Sequence, residues 1–87
     1  MSTYLHLSIM KDDFQPIFDK MIMKMLHKIE KYGLSYRNNE DISYYLKRLK
    51  QEIEEFEKNP CLDESLDIAN FSAMIVYHLA KIEEDED

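Results

Sequence analysis

Four carboxylates spaced as two helical pairs have the clearest capacity for chemistry in this sequence. Glu52 and Glu55 form one pair, and Glu64 and Asp67 form the other, with three-residue spacing in both. Residues three apart share one face of a helix, with Cβ atoms about 5–6 Å apart. Both pairs stand among apolar residues, where an ionised carboxylate is costly unless a cation offsets it. Because hard divalent metals prefer oxygen ligands, the pattern predicts a Mg²⁺ site.

Three main helices are predicted to position these carboxylates, in an all-α fold. The first helix is expected to begin near Asp12 or Asp13, with Pro16 in its opening turn. It should end near Tyr32, because Gly33 is a typical helix stop. Before it, residues 1–11 are expected to form an N-terminal arm, for which the pattern leaves an extended arm and a strand open.

The second and third helices are predicted to form a hairpin that brings the two carboxylate pairs together. The second helix should start at Asn38 or Asn39 and end before Pro60, and the third should run from about Leu62 to Ile82. Helices joined by a short loop pack antiparallel, so all four carboxylates should converge. Residues 83–87 form an acidic tail that should fray. The second helix has an apolar stripe made of Ile42, Tyr45, Leu46, Leu49, Ile53 and Phe56.

Composition limits the classes of protein to which the chain can belong. At 87 residues, 45% hydrophobic and with one Gly and two Pro, it is typical of a single helix-rich domain spanning residues 1–87. The net charge of −7 argues against nucleic acid and anionic membranes as partners. A lone cysteine, Cys61, excludes an intrachain disulfide. With no signal peptide and no apolar run of about 20 residues, we expect a cytoplasmic protein.

Other interpretations of the same residues remain open. A run of acidic residues on a helix is most often a solvated face. The row Lys24, Lys28 and Lys31 could hold phosphate oxygens, or it could form surface ion pairs. Asn70, one turn after Asp67, could bind a ligand or be a satisfied core amide. The alternative function is therefore a non-catalytic acidic helical adaptor or a degenerate nucleotide-binding module.

The acidic motifs resemble those of the MazG-like, all-α nucleoside triphosphate pyrophosphatase superfamily. Its signature is EExxE followed after a short spacer by ExxD. Residues 51–55 match the first motif with Gln51 in place of the first glutamate, and residues 64–67 match the second. The similarity extends over roughly residues 14–80 and includes the segments 31–33, 46–49 and 67–75.

The resemblance implies an activity and a set of site residues. It implies a Mg²⁺-dependent pyrophosphohydrolase, with Mn²⁺ as a possible substitute, that cleaves a nucleoside triphosphate between its α and β phosphates. Glu52, Glu55, Glu64 and Asp67 would be the metal ligands. One of the glutamates, with Glu52 and Glu55 as candidates, would also accept the proton of the attacking water. We expect a homodimer or a dimer of dimers to complete the small core. The expected substrate-binding residues are Lys24, Lys28, Lys31, Arg48 and Asn70.

Overall fold

The described part of the chain folds into four α-helices, three of them long. A computed structural model describes the backbone of residues 2–86 and their side chains except those of residues 29, 30, 32 and 86. Within this part of the chain there is no strand, so the all-α fold class is confirmed. Met1 of the predicted arm and Asp87 of the predicted tail lie outside the described residues. The helices are α1 (Thr3–Tyr32), α2 (Ser35–Asn38), α3 (Ile42–Lys58) and α4 (Leu62–Glu86).

Helices α3 and α4 form the predicted hairpin. A three-residue turn joins them, with the Asn59 amide donating to the Glu55 carbonyl at 3.0 Å to end α3. The contacts follow opposite orders along the two helices. Near the turn, Glu52 of α3 lies by Asp67 of α4, and farther from it, Tyr45 of α3 stacks on His78 of α4. The hairpin is therefore antiparallel.

Helix α1 begins at Thr3, so the expectation of a non-helical arm over residues 1–11 is wrong for its described part. The side-chain oxygen of Ser2 accepts a hydrogen bond from the Tyr4 amide at 3.0 Å, as a helix N-cap does. Residues 3–11 contain no Gly or Pro, so nothing stops the helix before Asp12. Pro16 consequently lies in the helix interior rather than in an opening turn.

The boundary between α1 and α3 also differs from the prediction. A one-turn helix, α2, occupies residues 35–38, and α3 starts at Ile42 rather than at Asn38 or Asn39. Asp41 caps α3, because its carboxylate accepts from the Ser43 amide at 3.0 Å. At its far end α4 continues to Glu86 instead of fraying after Ile82. No Gly or Pro follows Pro60, and Glu is a good helix former.

The core of the single chain is small. Tyr45 and Leu66 are its buried hydrophobic residues among those described, and α4 packs mainly against α3. Residues 3–20 of α1 are all exposed, including Phe14 at 63% and Tyr4 at 82%. No described helix is long and apolar enough to cross a membrane. Most of the apolar surface of α1 therefore has no cover within the described chain.

Candidate metal centre

Three of the four predicted metal ligands meet where α3 crosses the start of α4. One carboxylate oxygen from each of Glu52, Glu64 and Asp67 lies within 4.8 Å of the others. Glu52 is only 5% exposed, because it shares the face of α3 that carries Tyr45 and packs on α4. The described residues thus place three acidic groups around one point at a partly buried helix crossing.

Glu55 lies at the edge of this cluster. It is exposed, and it is not among the carboxylates that meet within 4.8 Å. It nevertheless lies one turn after Glu52 on α3, close enough to raise the pKa of the Glu52 carboxyl. The structure therefore places Glu55 beside the cluster, where it borders solvent.

The charge of the cluster is incompletely compensated. Burial raises the pKa of Glu52 above its ordinary value, and the nearby Glu55 carboxyl and the negative charge of Asp67 raise it further. Arg48 acts in the opposite direction, with its Nη2 at 3.1 Å from Glu52 Oε1, but it does not cancel these effects. Glu52 is therefore poised to gain either a proton or a nearby cation.

Lys24 of α1 supplies positive charge from the other side of the cluster. Its Nζ lies 2.9 Å from Asp67 Oδ2 and 3.1 Å from Asp63 Oδ1, and it donates to the Asp63 carbonyl at 2.7 Å. Burial lowers the pKa of Lys24, but the hydrogen bonds and charges of Asp67 and Asp63 outweigh burial and raise it overall. Lys28, one turn later, is more exposed, with its Nζ at 3.7 Å from Asp67 Oδ1.

Two acceptor atoms at this place are buried without a hydrogen-bond partner among the described residues. They are Oε2 of Glu64 and Oδ1 of Asn70. The Asn70 amide group is oriented by a hydrogen bond from its Nδ2 to the Met21 carbonyl at 3.2 Å. Buried polar atoms without partners are rare in folded proteins. An oxygen-coordinating cation would satisfy the Glu64 oxygen, so the residues present fit a hard metal ion.

A cavity of about 610 Å³ opens beside the acidic cluster, between α1, α3 and α4. Asp67 belongs to both the cluster and the cavity wall. Arg48 lies above the Phe71 ring, with its guanidinium carbon 5.2 Å from the ring centroid. Lys31 is exposed at the end of α1 and is not part of this wall. The wall combines cationic groups, an amide and aromatic rings, namely Lys24, Lys28, Arg48, Asn70, Tyr36, Tyr44, Tyr45 and Phe71.

A further set of residues, not predicted from the sequence, holds α2 against the hairpin. The Tyr36 carbonyl accepts from Tyr45 Oη at 3.0 Å and from His78 Nε2 at 2.7 Å. Tyr45 Oη also lies 2.6 Å from the Asn39 carbonyl. The His78 and Tyr45 rings stack at 5.3 Å, and His78 is 4% exposed. These contacts fix the segment from Gly33 to Asn39 as one wall of the cavity.

The sequence gives little indication of the contact between His78 and the Tyr36 carbonyl. His78 stands on an apolar helix, and it hydrogen-bonds to the backbone carbonyl of Tyr36 in α2, 42 residues away in the sequence. Only the tertiary structure brings the two together.

Comparisons of the chain with protein-family models, with curated proteins and with solved structures found no match. The resemblance to the MazG-like superfamily therefore depends on the motif residues alone.

Proposed function

We propose that this protein is a Mg²⁺-dependent nucleotide pyrophosphohydrolase that converts a nucleoside triphosphate to the monophosphate and pyrophosphate. The observation that carries the proposal is the position of the acidic cluster. Glu52, Glu64 and Asp67 converge beside a cavity whose wall contains both cationic and aromatic side chains. Mg²⁺ and Mn²⁺ both suit oxygen ligands, so either ion fits the cluster.

The residues divide the work by their chemistry. Glu52, Glu64 and Asp67 would hold the ion, and Glu55 would complete the set from the solvent edge. A bound Mg²⁺ supplies charge screening, phosphate orientation and a lower pKa for the attacking water. Either Glu52 or Glu55 would accept the proton of that water as its oxygen bonds to the α phosphorus, while the bond to the bridging oxygen breaks and pyrophosphate leaves.

The cavity wall offers complementary contacts for the rest of the substrate. Lys24, Lys28 and Arg48 carry positive charge toward the space beside the cluster, where phosphate oxygens would lie. The rings of Tyr44 and Phe71 offer surfaces for a base. A cavity of about 610 Å³ falls within the usual range of about 300–1,000 Å³ for small-molecule sites.

The proposed enzyme works as a homodimer or a dimer of dimers. Support comes from α1, where large apolar side chains such as Tyr4, Met10 and Phe14 are more than half exposed. Contiguous exposed apolar surface on a small protein marks an interaction surface. Light scattering coupled to size exclusion tests this part, with a mass of twice or four times 10.5 kDa expected.

The second candidate is a non-catalytic helical module, and one observation favours it. Lys24 and Arg48 already provide positive partners for Asp67 and Glu52 within the chain. Ion pairs of this kind could serve structure alone. In that case the cluster would bind no divalent cation.

A panel of ribo- and deoxyribonucleoside triphosphates, incubated with Mg²⁺ or with EDTA, tests the proposed function. Anion-exchange chromatography resolves the monophosphate and pyrophosphate from the diphosphate and orthophosphate. We expect equimolar monophosphate and pyrophosphate from at least one triphosphate, with Mg²⁺ only. Release of orthophosphate and diphosphate, or no turnover across the panel, would contradict the proposal.

A further inference from the structure

We propose that Lys24 is a built-in counter-ion of the acidic cluster, which occupies the place of a divalent cation at Asp67 and must be displaced when the metal binds. The proposal concerns regulation of the same site and rests on the proposed function, since it requires a metal at the cluster. It concerns the order of binding rather than the reaction itself.

The Lys24 ammonium is surrounded by oxygen atoms, as a bound cation would be. Its Nζ has three oxygen neighbours within 3.1 Å, namely Asp67 Oδ2, Asp63 Oδ1 and the Asp63 carbonyl. Asp67 is at the same time one of the three carboxylates that meet within 4.8 Å. The ammonium therefore neutralises a group that the metal would need.

Burial makes this pairing stronger than that of a surface lysine. The side chains of Lys24 and Asp67 are 18% and 15% exposed, whereas that of Lys28 is 53% exposed. Charges in a partly buried site are less screened by water and salt. Lys28, with its Nζ 3.7 Å from Asp67, is therefore the weaker competitor.

Two cations cannot share Asp67 without repulsion. A divalent ion bound to Asp67 would lie close to the Lys24 ammonium, and at short range this repulsion is large even in a polarisable site. The flexible stem of Lys24 allows the ammonium to turn away, and the same side chain lines the neighbouring cavity. Lys24 thus lowers the affinity of the cluster for a metal that arrives alone.

Titration of Mn²⁺ into the full chain without nucleotide, followed by electron paramagnetic resonance, tests the proposal. Lys24→Met keeps most of the apolar stem and removes the charge. We expect it to bind Mn²⁺ about ten-fold more tightly than the original protein, as loss of a repulsive charge pair requires. Lys20→Met, one turn earlier on α1 at an exposed position, removes the same charge farther from Asp67 and should change the affinity less than about two-fold.

Two further variants keep the test decisive. Lys24→Arg preserves the charge and should retain the original Mn²⁺ affinity, and Lys24→Gln should bind more tightly even if Lys24→Met does not fold. If the original protein binds Mn²⁺ and neither neutral variant binds more tightly than Lys20→Met, the counter-ion proposal is overturned while the metal site stands. If no variant binds Mn²⁺, both proposals fall.

Discussion

The substitution Glu52→Gln should stabilise the metal-free protein at neutral pH. The folded state raises the pKa of Glu52 above its ordinary value, chiefly through burial, so between the pKa of the unfolded chain and that of the folded protein the folded state binds more protons. Stability from this group is present at low pH and is lost as pH rises through the raised pKa. A neutral glutamine keeps an acceptor for Arg48 and removes the cost of burying a charge.

The magnitude follows from the burial of the side chain. Glu52 is 5% exposed, and Arg48 is its cationic partner among the described side chains. Replacing an incompletely compensated buried charge by a neutral group of similar volume stabilises proteins by about 1–4 kcal/mol, so we expect a gain of about 1–2 kcal/mol at pH 7.5. For a domain of this size the midpoint of thermal unfolding should rise by about 4–8 °C per kcal/mol. Near pH 4 the original protein and the variant should unfold at similar temperatures.

Thermal unfolding followed by circular dichroism, at fixed protein concentration and several pH values, measures this effect. Glu54→Gln is the matched control, since Glu54 is exposed on the same helix and should shift the midpoint by less than about 2 °C. Saturating Mg²⁺ at about 100 times its Kd should add about 2.7 kcal/mol to the original protein and far less to Glu52→Gln. The reasoning is refuted if Glu52→Gln is destabilised at pH 7.5 and Mg²⁺ stabilises neither protein.

Three further substitutions test other parts of the structure. Glu55→Gln should abolish most turnover yet shift the unfolding midpoint by less than about 2 °C, because Glu55 is exposed; an unchanged rate in the pyrophosphate assay would remove it from the site. Tyr45→Phe should lower the free energy of unfolding, measured in urea, by about 1–3 kcal/mol, because the Tyr36 and Asn39 carbonyls lose a donor. Tyr44→Phe is the control and should lower it little, since the Tyr44 ring is 46% exposed. Gly33→Ala should cost about 1 kcal/mol in the same assay through its φ of +60° alone, and no loss would contradict the backbone argument.

Local signals in the sequence were sufficient to predict the hairpin that carries the acidic cluster. Pro60 and the start of α4 at Leu62 fix the turn, and three-residue spacing places Glu64 and Asp67 on one face of the helix. The convergence of Glu52, Glu64 and Asp67 then follows from antiparallel packing. These features depend on neighbours close in sequence.

Features that depend on distant contacts could not be predicted in the same way. The role of Lys24 requires α1 to lie against the start of α4, and no spacing within α1 encodes its pairing with Asp67, 43 residues further along the chain. The contact between His78 and the Tyr36 carbonyl likewise joins residues that are far apart in the sequence. The full length of α1 could not be predicted for a different reason, because Asp12, Asp13 and Ser2 are all good N-cap residues and only the structure shows that Ser2 caps the helix.

The most direct test of the metal-dependent mechanism is the rate of pyrophosphate release by Glu64→Gln and Glu54→Gln on the best triphosphate of the panel. Glu64 carries the buried carboxylate oxygen that lacks a partner, whereas Glu54 is exposed on α3. We expect Glu64→Gln to lose at least about 100-fold in rate, as removal of transition-state charge stabilisation does, and Glu54→Gln to retain the original rate. Equal rates for the two variants, or equal rates with Mg²⁺ and with EDTA, would contradict a metal centre at this cluster.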